Sequence, residues 1–247
     1  MWLKRFIAVL LGLLAAGFVR QTTEGGTEIA WAENCPILVI GEVAPSGPAA
    51  DELEDLLTRL IDAWQGDSCD TLPFAVMRGN PTQSRVAYDG TNLVVTRAAD
   101  YCNDPANAET EICLSPDALA ITTTFFRDEP GSPRDGELLE ADLEINLRHP
   151  FSIPGTATTY DLESVVTHEL GHVLGLDHSC LTERGEHRVD PAGRPVPSCS
   201  TFSLDDLTAE ATMYPWVSEG DVHQRKPGLD ELQAMCLIYR NHPKQCK

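Results

Sequence analysis

The chain is poor in positive charge. Its 247 residues include 18 Lys and Arg against 38 Asp and Glu, which gives a formal net charge of −20 at pH 7. Such a surface repels phosphate backbones, so nucleic acid is not expected as a partner. The acidic excess fits a preference for cationic peptides and the ordinary solvation of an extracellular surface equally well, since charge alone does not separate the two.

The chain also lacks an apolar run that would span a bilayer comfortably. Its most apolar stretch, Phe6 to Phe18, is short and follows Lys4 and Arg5, a layout typical of a signal peptide. Small residues at Ala15-Ala16-Gly17 and at Ala30-Trp31-Ala32 place the cleavage near 17 or near 32. We predict a signal peptide and short leader over 1–32, one domain over 33–247, and no stable membrane insertion after cleavage. A membrane anchor is the alternative.

Internal repeats and low-complexity tracts are absent as well, and the periodicity of the apolar residues predicts a mixture of helices and strands. Glu140, Asp142 and Glu144 alternate with apolar residues, as in a strand with one solvent-exposed face. The predicted helices are 49–64, 162–174 with Asp161 as its cap, and 229–239. The predicted strands are 74–77, 93–96, 119–126 and 138–147.

One short stretch contains three histidines and two acidic residues: residues 168–178 read His-Glu-Leu-Gly-His-Val-Leu-Gly-Leu-Asp-His. His168 and His172 are four apart, so on a helix they lie on one face and can share a metal ion. Gly175 is predicted to end the helix, because glycine enters the left-handed conformation freely, and the chain then returns with His178. Three protein ligands leave the fourth tetrahedral position of zinc open, which is typical of a catalytic site.

Glu169 is the predicted catalytic base, since it lies beside the first ligand and can take a proton from a zinc-bound water. A chance His-Glu-x-x-His is expected in about one sequence of this composition in fifty. Requiring Gly175 and His178 as well lowers that frequency to roughly one in tens of thousands. The pattern therefore favours a metal site over a helix with surface histidines.

The long motif resembles that of the metzincin peptidases, and the stretch Ala211-Thr212-Met213-Tyr214-Pro215 resembles their Met-containing turn. Leu176-Asp177-His178-Ser179 followed by Met-Tyr-Pro is similar to the matrixins among them. Ala141-Asp142-Leu143-Glu144-Ile145-Asn146 resembles the matrixin edge strand that binds substrate, and residues 230–239 resemble the C-terminal helix of the family.

This resemblance implies an α+β metzincin fold: a mixed twisted sheet with an edge strand over the cleft, an active-site helix, a Met-turn and a C-terminal helix. It implies that Met213 forms an apolar floor beneath the metal. It also implies that Tyr214 and Pro215 line the pocket beyond the scissile bond, and that Asp142 and Glu144 lie on the substrate-binding strand.

Two features depart from the matrixin pattern. Residues 180–210 separate the third histidine from the Met-turn, and we expect this insertion to reshape the primed side of the cleft. The chain has no cysteine switch of the Pro-Arg-Cys-Gly type, so the resemblance gives no mechanism of latency.

All eight cysteines lie beyond the predicted leader, and an even number in an exported chain indicates disulfides. Eight cysteines allow 105 pairings. An alternative for Cys180, two residues beyond His178, is a thiolate that ligates or inhibits the zinc. We predict that neighbours pair: Cys35 with Cys69, Cys102 with Cys113, Cys180 with Cys199, and Cys236 with Cys246.

The sequence thus predicts a secreted, or in a bacterium periplasmic, monomeric endopeptidase with one catalytic Zn²⁺, acting on protein or peptide substrates through a zinc-bound water activated by Glu169. The acidic loops near 100–111 and 128–142 are candidates for Ca²⁺, although neither shows a recognisable calcium-loop spacing. The alternative function is a catalytically inactive zinc-containing extracellular binding or adhesion module. The presence of Glu169 argues against that alternative.

Overall fold

The computed structural model describes residues 18–32, 35–66, 72–99, 102–103, 112–113, 115–182, 187–200 and 206–239. The strands are β1 Val19–Arg20, β2 Ala30–Trp31, β3 Ile37–Ile40, β4 Ala75–Arg78, β5 Asn92–Arg97, β6 Cys102–Asn103, β7 Ile112–Cys113, β8 Ala120–Phe126, β9 Glu137–Asn146, β10 Phe151–Ser152, β11 Tyr160–Asp161 and β12 Leu176–Asp177. The α-helices are α1 Ala50–Gln65, α2 Leu162–Val173, α3 Asp206–Glu210 and α4 Leu229–Tyr239, and His223–Arg225 form a 3₁₀ helix.

Six strands form one mixed sheet in the order β2-β9-β5-β3-β4, with β8 paired to β9. The pairs along this order are parallel, whereas β8 runs antiparallel to β9. Parallel neighbours need a crossover, and α1 supplies it between β3 and β4. The α+β class with a mixed sheet, predicted from the sequence, is confirmed. The strand β3 was not predicted, although its four apolar residues lie between Pro36 and Gly41.

The long helix α1 packs against the sheet and against α2 and α4. Its buried residues recur at helical spacing and form one apolar stripe: Leu53, Leu56, Leu57, Leu60, Ile61 and Trp64. Burial of each such side chain contributes about 1.5–3 kcal/mol. Trp64 also donates its indole N–H to the Thr167 carbonyl at 3.0 Å, so α1 fixes the position of α2 as well as contributing to the core.

The sheet corrects the predicted substrate strand. The stretch Ala141–Asn146 belongs to β9, which pairs with β8 on one side and with β2 and β5 on the other. It is therefore an interior strand, and its backbone groups are already bonded on both sides. Among the described strands, β8 is the edge strand beside α2.

The acidic side chains of β9 do not face solvent either, contrary to the exposed face predicted from their alternation. Glu140, Asp142 and Glu144 are all buried, because the segment 84–97 covers them and supplies their hydrogen-bond donors. Asp142 accepts from the backbone N–H of Leu93 at 2.7 Å and of Ala87 at 3.1 Å, Glu140 from Gly90 at 2.6 Å, and Glu144 from the Arg97 guanidinium at 2.8 Å. Asp142 and Glu144 are thus structural acids, and their predicted substrate contact is wrong.

Residues 18–32, predicted as part of a leader, are built into the domain. Phe18, Ile29 and Trp31 are buried in the main core. β1 pairs with β12, the segment that precedes the third histidine, and the Trp31 indole donates to the Val173 carbonyl at 2.8 Å. Cleavage near 32 would remove these contacts and cleavage near 17 would keep them; the boundaries at 32 and 33 stay a prediction.

The disulfide between Cys180 and Cys199 is present as predicted, which removes the alternative of Cys180 as a zinc ligand. Cys35 and Cys236 are also disulfide-bonded; Cys69 and Cys246, predicted as their partners, lie outside the described residues. The backbones of Cys102 and Cys113 face each other in the β6–β7 pair. No helix in the described ranges is both long and apolar enough to cross a membrane.

Candidate metal centre

The helix α2 begins at the predicted residue, Leu162, and ends at Val173, one residue before the predicted end. Asp161 is the N-cap, and its side chain accepts from the Ser164 N–H at 2.9 Å. Arg225 from the 3₁₀ helix also donates to Asp161, at 2.6 Å through Nη2, and this arginine holds the pKa of the capping carboxyl below its usual value despite burial. The Arg225 guanidinium and the positive N-terminal end of the helix dipole therefore both stabilise the ionised Asp161 carboxylate.

Gly175 follows the last residues of α2 with φ +84°, the left-handed conformation predicted for it. A Cβ at this position would also lie 2.6 Å from the Ile29 carbonyl oxygen. Both the turn and the close approach of the N-terminal segment therefore require glycine here. The turn directs the chain back past α2 and brings His178 to the two helical histidines.

The three predicted ligands converge. The Nε2 atom of His172 lies 3.1 Å from that of His168 and 3.3 Å from that of His178. Nitrogens bound about 2.0–2.1 Å from one tetrahedral zinc would lie about 3.3–3.4 Å apart, so the spacing fits zinc. Within the described ranges, these three residues form the only cluster of at least three His, Cys, Asp or Glu side chains suited to a metal ion.

Hydrogen bonds and burial prepare the imidazoles for a metal. Nδ1 of His168 lies 2.8 Å from the Thr212 carbonyl oxygen, and Nδ1 of His172 lies 2.9 Å from that of Leu176. Because a carbonyl only accepts, each Nδ1 carries the proton and each Nε2 is free for the ion. Burial, followed by the neighbouring imidazoles, lowers the pKa of His168 well below its usual value and that of His178 to about 3. In His168 and His178 the neutral form, which binds metal, is therefore favoured.

Glu169 lies in the same site, buried beside the cluster. The Thr122 hydroxyl of β8 donates to its Oε2 at 2.7 Å, and no hydrogen bond from the described residues reaches Oε1. Burial raises the pKa of Glu169, while His172 and Thr122 oppose that rise. One carboxylate oxygen is thus held by the edge strand and the other remains available for a proton. Thr122 was not predicted, since a threonine in a strand carries no signal of this role.

The predicted Met-turn lies beneath α2. Met213 is buried, and a Cβ on Gly171 would lie 2.2 Å from its sulfur. The glycine inside the His-Glu-x-x-His pattern therefore makes room for the methionine. The turn is tied to the third ligand because the Met213 carbonyl accepts from the Ser179 N–H at 2.9 Å, one residue beyond His178.

Tyr214 and Pro215 are half-buried directly after Met213, and the ring of Tyr214 meets that of Trp216 edge to face at 5.6 Å. Trp216 is 51% exposed, which adds an aromatic surface that the sequence analysis did not single out. The contact of Tyr214 and Pro215 with substrate stays a prediction.

The described part of the insertion packs on the metal-binding segment. Arg188 forms an ion pair with Asp177, whose carboxylate also accepts from the His178 N–H at 2.7 Å. The disulfide from Cys180 closes the insertion at Cys199. Its predicted effect on the primed side of the cleft stays a prediction.

Comparison with known proteins agrees with this geometry. Residues 63–184 match the family described as Matrixin, a span that starts inside α1 and stops before the Met-turn. A metalloendoproteinase of Arabidopsis thaliana, 4-MMP, is 31% identical over 83 residues, which are 34% of this chain and 23% of that protein. The chain thus covers about a quarter of that relative, and the match supports a zinc metallopeptidase in general terms.

Proposed function

We propose that the chain is a secreted zinc-dependent endopeptidase with a matrixin-like metzincin domain. The observation that supports this most directly is the convergence of three imidazoles beside a buried carboxylate with one open oxygen. A structural zinc site has no use for that carboxylate, because its four positions are filled by protein ligands.

His168, His172 and His178 would hold the zinc through their Nε2 atoms. When bound, zinc lowers the pKa of a water toward neutrality and polarises a carbonyl group as a Lewis acid. Glu169 accepts the proton of the attacking water at Oε1 while Thr122 keeps Oε2 in place, and it then delivers the proton to the leaving amine. The carboxylate shuttles the proton and forms no covalent bond.

The edge of β8 is the proposed substrate platform. Among the described strands it pairs only with β9, and Thr122 places it directly beside Glu169. An extended peptide can pair with the open edge by strand addition, so that backbone hydrogen bonds provide affinity and side-chain pockets provide specificity. This role replaces the one predicted for Asp142 and Glu144. Tyr214 and Pro215 are proposed to contact the residue beyond the scissile bond.

Cleavage of a quenched peptide library by the purified protein, beside Glu169→Ala, tests the proposal. We expect activity that a chelator abolishes, zinc restores and the variant lacks. A folded wild-type protein that binds zinc and cleaves no peptide would instead support the alternative of a zinc-containing binding module. Calcium dependence of the activity or of the melting temperature tests the proposed Ca²⁺ separately.

A further inference from the structure

Two of the three histidines are oriented by carbonyls that a glutamine side chain also binds. The Leu176 carbonyl, which accepts from His172 Nδ1 at 2.9 Å, accepts from Gln21 Nε2 at 3.0 Å. The Thr212 carbonyl, which accepts from His168 Nδ1 at 2.8 Å, accepts from Gln224 Nε2 at 3.3 Å. The same arrangement thus occurs twice, with glutamines from opposite ends of the chain.

The side-chain amide of Gln21 is fully used. Its Nε2 also donates to the His172 carbonyl at 3.2 Å, and its Oε1 accepts from the Thr124 hydroxyl of β8 at 3.1 Å. The two carbonyl partners fix the amide orientation, since only its NH₂ group donates. Gln21 therefore joins the edge strand to the last turn of α2 and to the segment that leads to His178.

Gln224 is buried behind the Met-turn. Its Nε2 lies 2.8 Å from the carbonyl oxygen of Tyr214, 3.3 Å from that of Thr212 and 3.4 Å from that of Ala211. Its two N–H groups are shared among three acceptors, so the amide holds the turn closed around the carbonyl that orients His168.

We propose that Gln21 and Gln224 are positioning residues for the metal ligands. Each fixes a carbonyl of an irregular segment, and that carbonyl fixes the tautomer and ring direction of a histidine. Without the glutamine the carbonyl can tilt, and the histidine Nε2 atom then moves away from the point on which the three ligand nitrogens converge. The inference rests on the proposed role of the histidines as zinc ligands. Residues that orient metal ligands typically contribute 10- to 100-fold in affinity, and we expect about tenfold from these more distant partners.

The zinc dissociation constant, measured by competition with a chromophoric chelator, tests this without any substrate. Gln21→Met and Gln224→Met remove the donors while keeping the length of the side chain, and the exposed Gln233→Met on α4 is the matched control. We expect about tenfold weaker zinc binding for the first two and a change of less than about twofold for the control. A merely structural role would lower the unfolding midpoint of the metal-free protein and leave the zinc constant unchanged.

Thr124 supplies a second test should Gln21→Met not fold. Thr124→Val removes the hydroxyl that orients the Gln21 amide, and we expect part of the loss of affinity, which Thr124→Ser should restore. Folded Gln21→Met with wild-type zinc affinity would overturn the proposal. Wild-type protein that binds zinc but cleaves nothing would overturn the proposed protease function and leave the comparison of zinc constants valid.

Discussion

Two buried carboxylates on neighbouring elements have opposite tasks. Asp142, in the interior strand β9, accepts backbone N–H groups on both oxygens. Glu169, in α2, accepts one hydroxyl on Oε2 from the described residues. Both oxygens of Asp142 already accept hydrogen bonds, and these bonds hold the segment 84–97 over the sheet. Glu169 has an open oxygen beside three imidazoles, where a proton can be taken up and released.

The direction of the pKa shift does not distinguish the two acids. Burial raises the pKa of Asp142 to about 7 and raises that of Glu169 as well. Perturbed pKa values mark functional sites only in combination with geometry. What separates the structural acid from the proposed catalytic one is the number of hydrogen bonds that its oxygens already accept.

The largest effect should follow from removing the open oxygen as a proton acceptor. Glu169→Gln keeps the shape of the side chain and the contact with Thr122, but an amide does not act as a base. We expect kcat to fall by about 10²- to 10⁴-fold, with zinc content unchanged. Steady-state kinetics and metal analysis on the same preparation check this, and a variant with near-wild-type kcat would refute Glu169 as the base.

Asp142→Asn should affect folding and not chemistry. The side-chain NH₂ group of the variant would face the backbone N–H of Ala87 or of Leu93, and one buried donor would then have no acceptor. We expect a loss of about 1–3 kcal/mol in the free energy of unfolding, measured in urea, with kcat per folded molecule retained. The exposed Asp117→Asn is the control, and an equal unfolding midpoint in both variants would contradict the assignment.

Thr122 connects the strand of Asp142 with the helix of Glu169. It lies in β8, which pairs with β9, and the Thr122 hydroxyl donates to Glu169. Thr122→Val removes that hydrogen bond while preserving the side-chain shape. We expect kcat to fall by about tenfold, equivalent to about 1.4 kcal/mol, with KM little changed and with recovery in Thr122→Ser. A change in KM alone would indicate that Thr122 serves the substrate edge and not the base.

The part of the candidate site that was predicted from the sequence is the part whose residues lie close together along the chain. His168, Glu169 and His172 share one helix, and Gly175 makes the turn to His178, so spacing alone brings the ligands together. The alternation of Glu140, Asp142 and Glu144 predicted a shared face correctly, but a period of two does not say what covers that face. The segment 84–97 covers it through contacts that are distant along the chain.

Contacts that are distant along the chain also explain why the edge strand and the packing of residues 18–32 were not predicted. Two neighbouring strands, β8 and β9, were both predicted, but the pairing of β9 with β2 and β5 depends on residues far away in sequence. Small residues near Ala32 suggested a cleavage position, while burial of Ile29 and Trp31 against α2 is visible only in the folded chain. Gln21 and Gln224 gave no signal, because a glutamine without its partners is an ordinary polar residue.

A third buried acid lies between the two extremes and gives the smallest expected effect. Glu231 of α4 accepts the Met213 N–H at 3.3 Å on Oε1, and its buried Oε2 has no hydrogen-bond partner among the described residues. Burial first, and then the neighbouring Asp230, raises the pKa of Glu231 to about 8. The folded state thus holds this proton more tightly than the unfolded chain does.

A raised carboxyl pKa stabilises the fold fully below the unfolded value, near 4.5, and that contribution is lost progressively as the pH rises from there through about 8. Glu231→Gln does not ionise, so its stability relative to wild type should improve by about 1 kcal/mol between pH 5 and pH 6, a window of one pH unit between the two pKa values. Urea unfolding at both pH values, with the exposed Glu219→Gln as the control, measures the difference. If the relative stability of Glu231→Gln did not change with pH, Oε2 would have to be satisfied in the ionised state, and Glu231 would belong with Asp142 among the saturated acids.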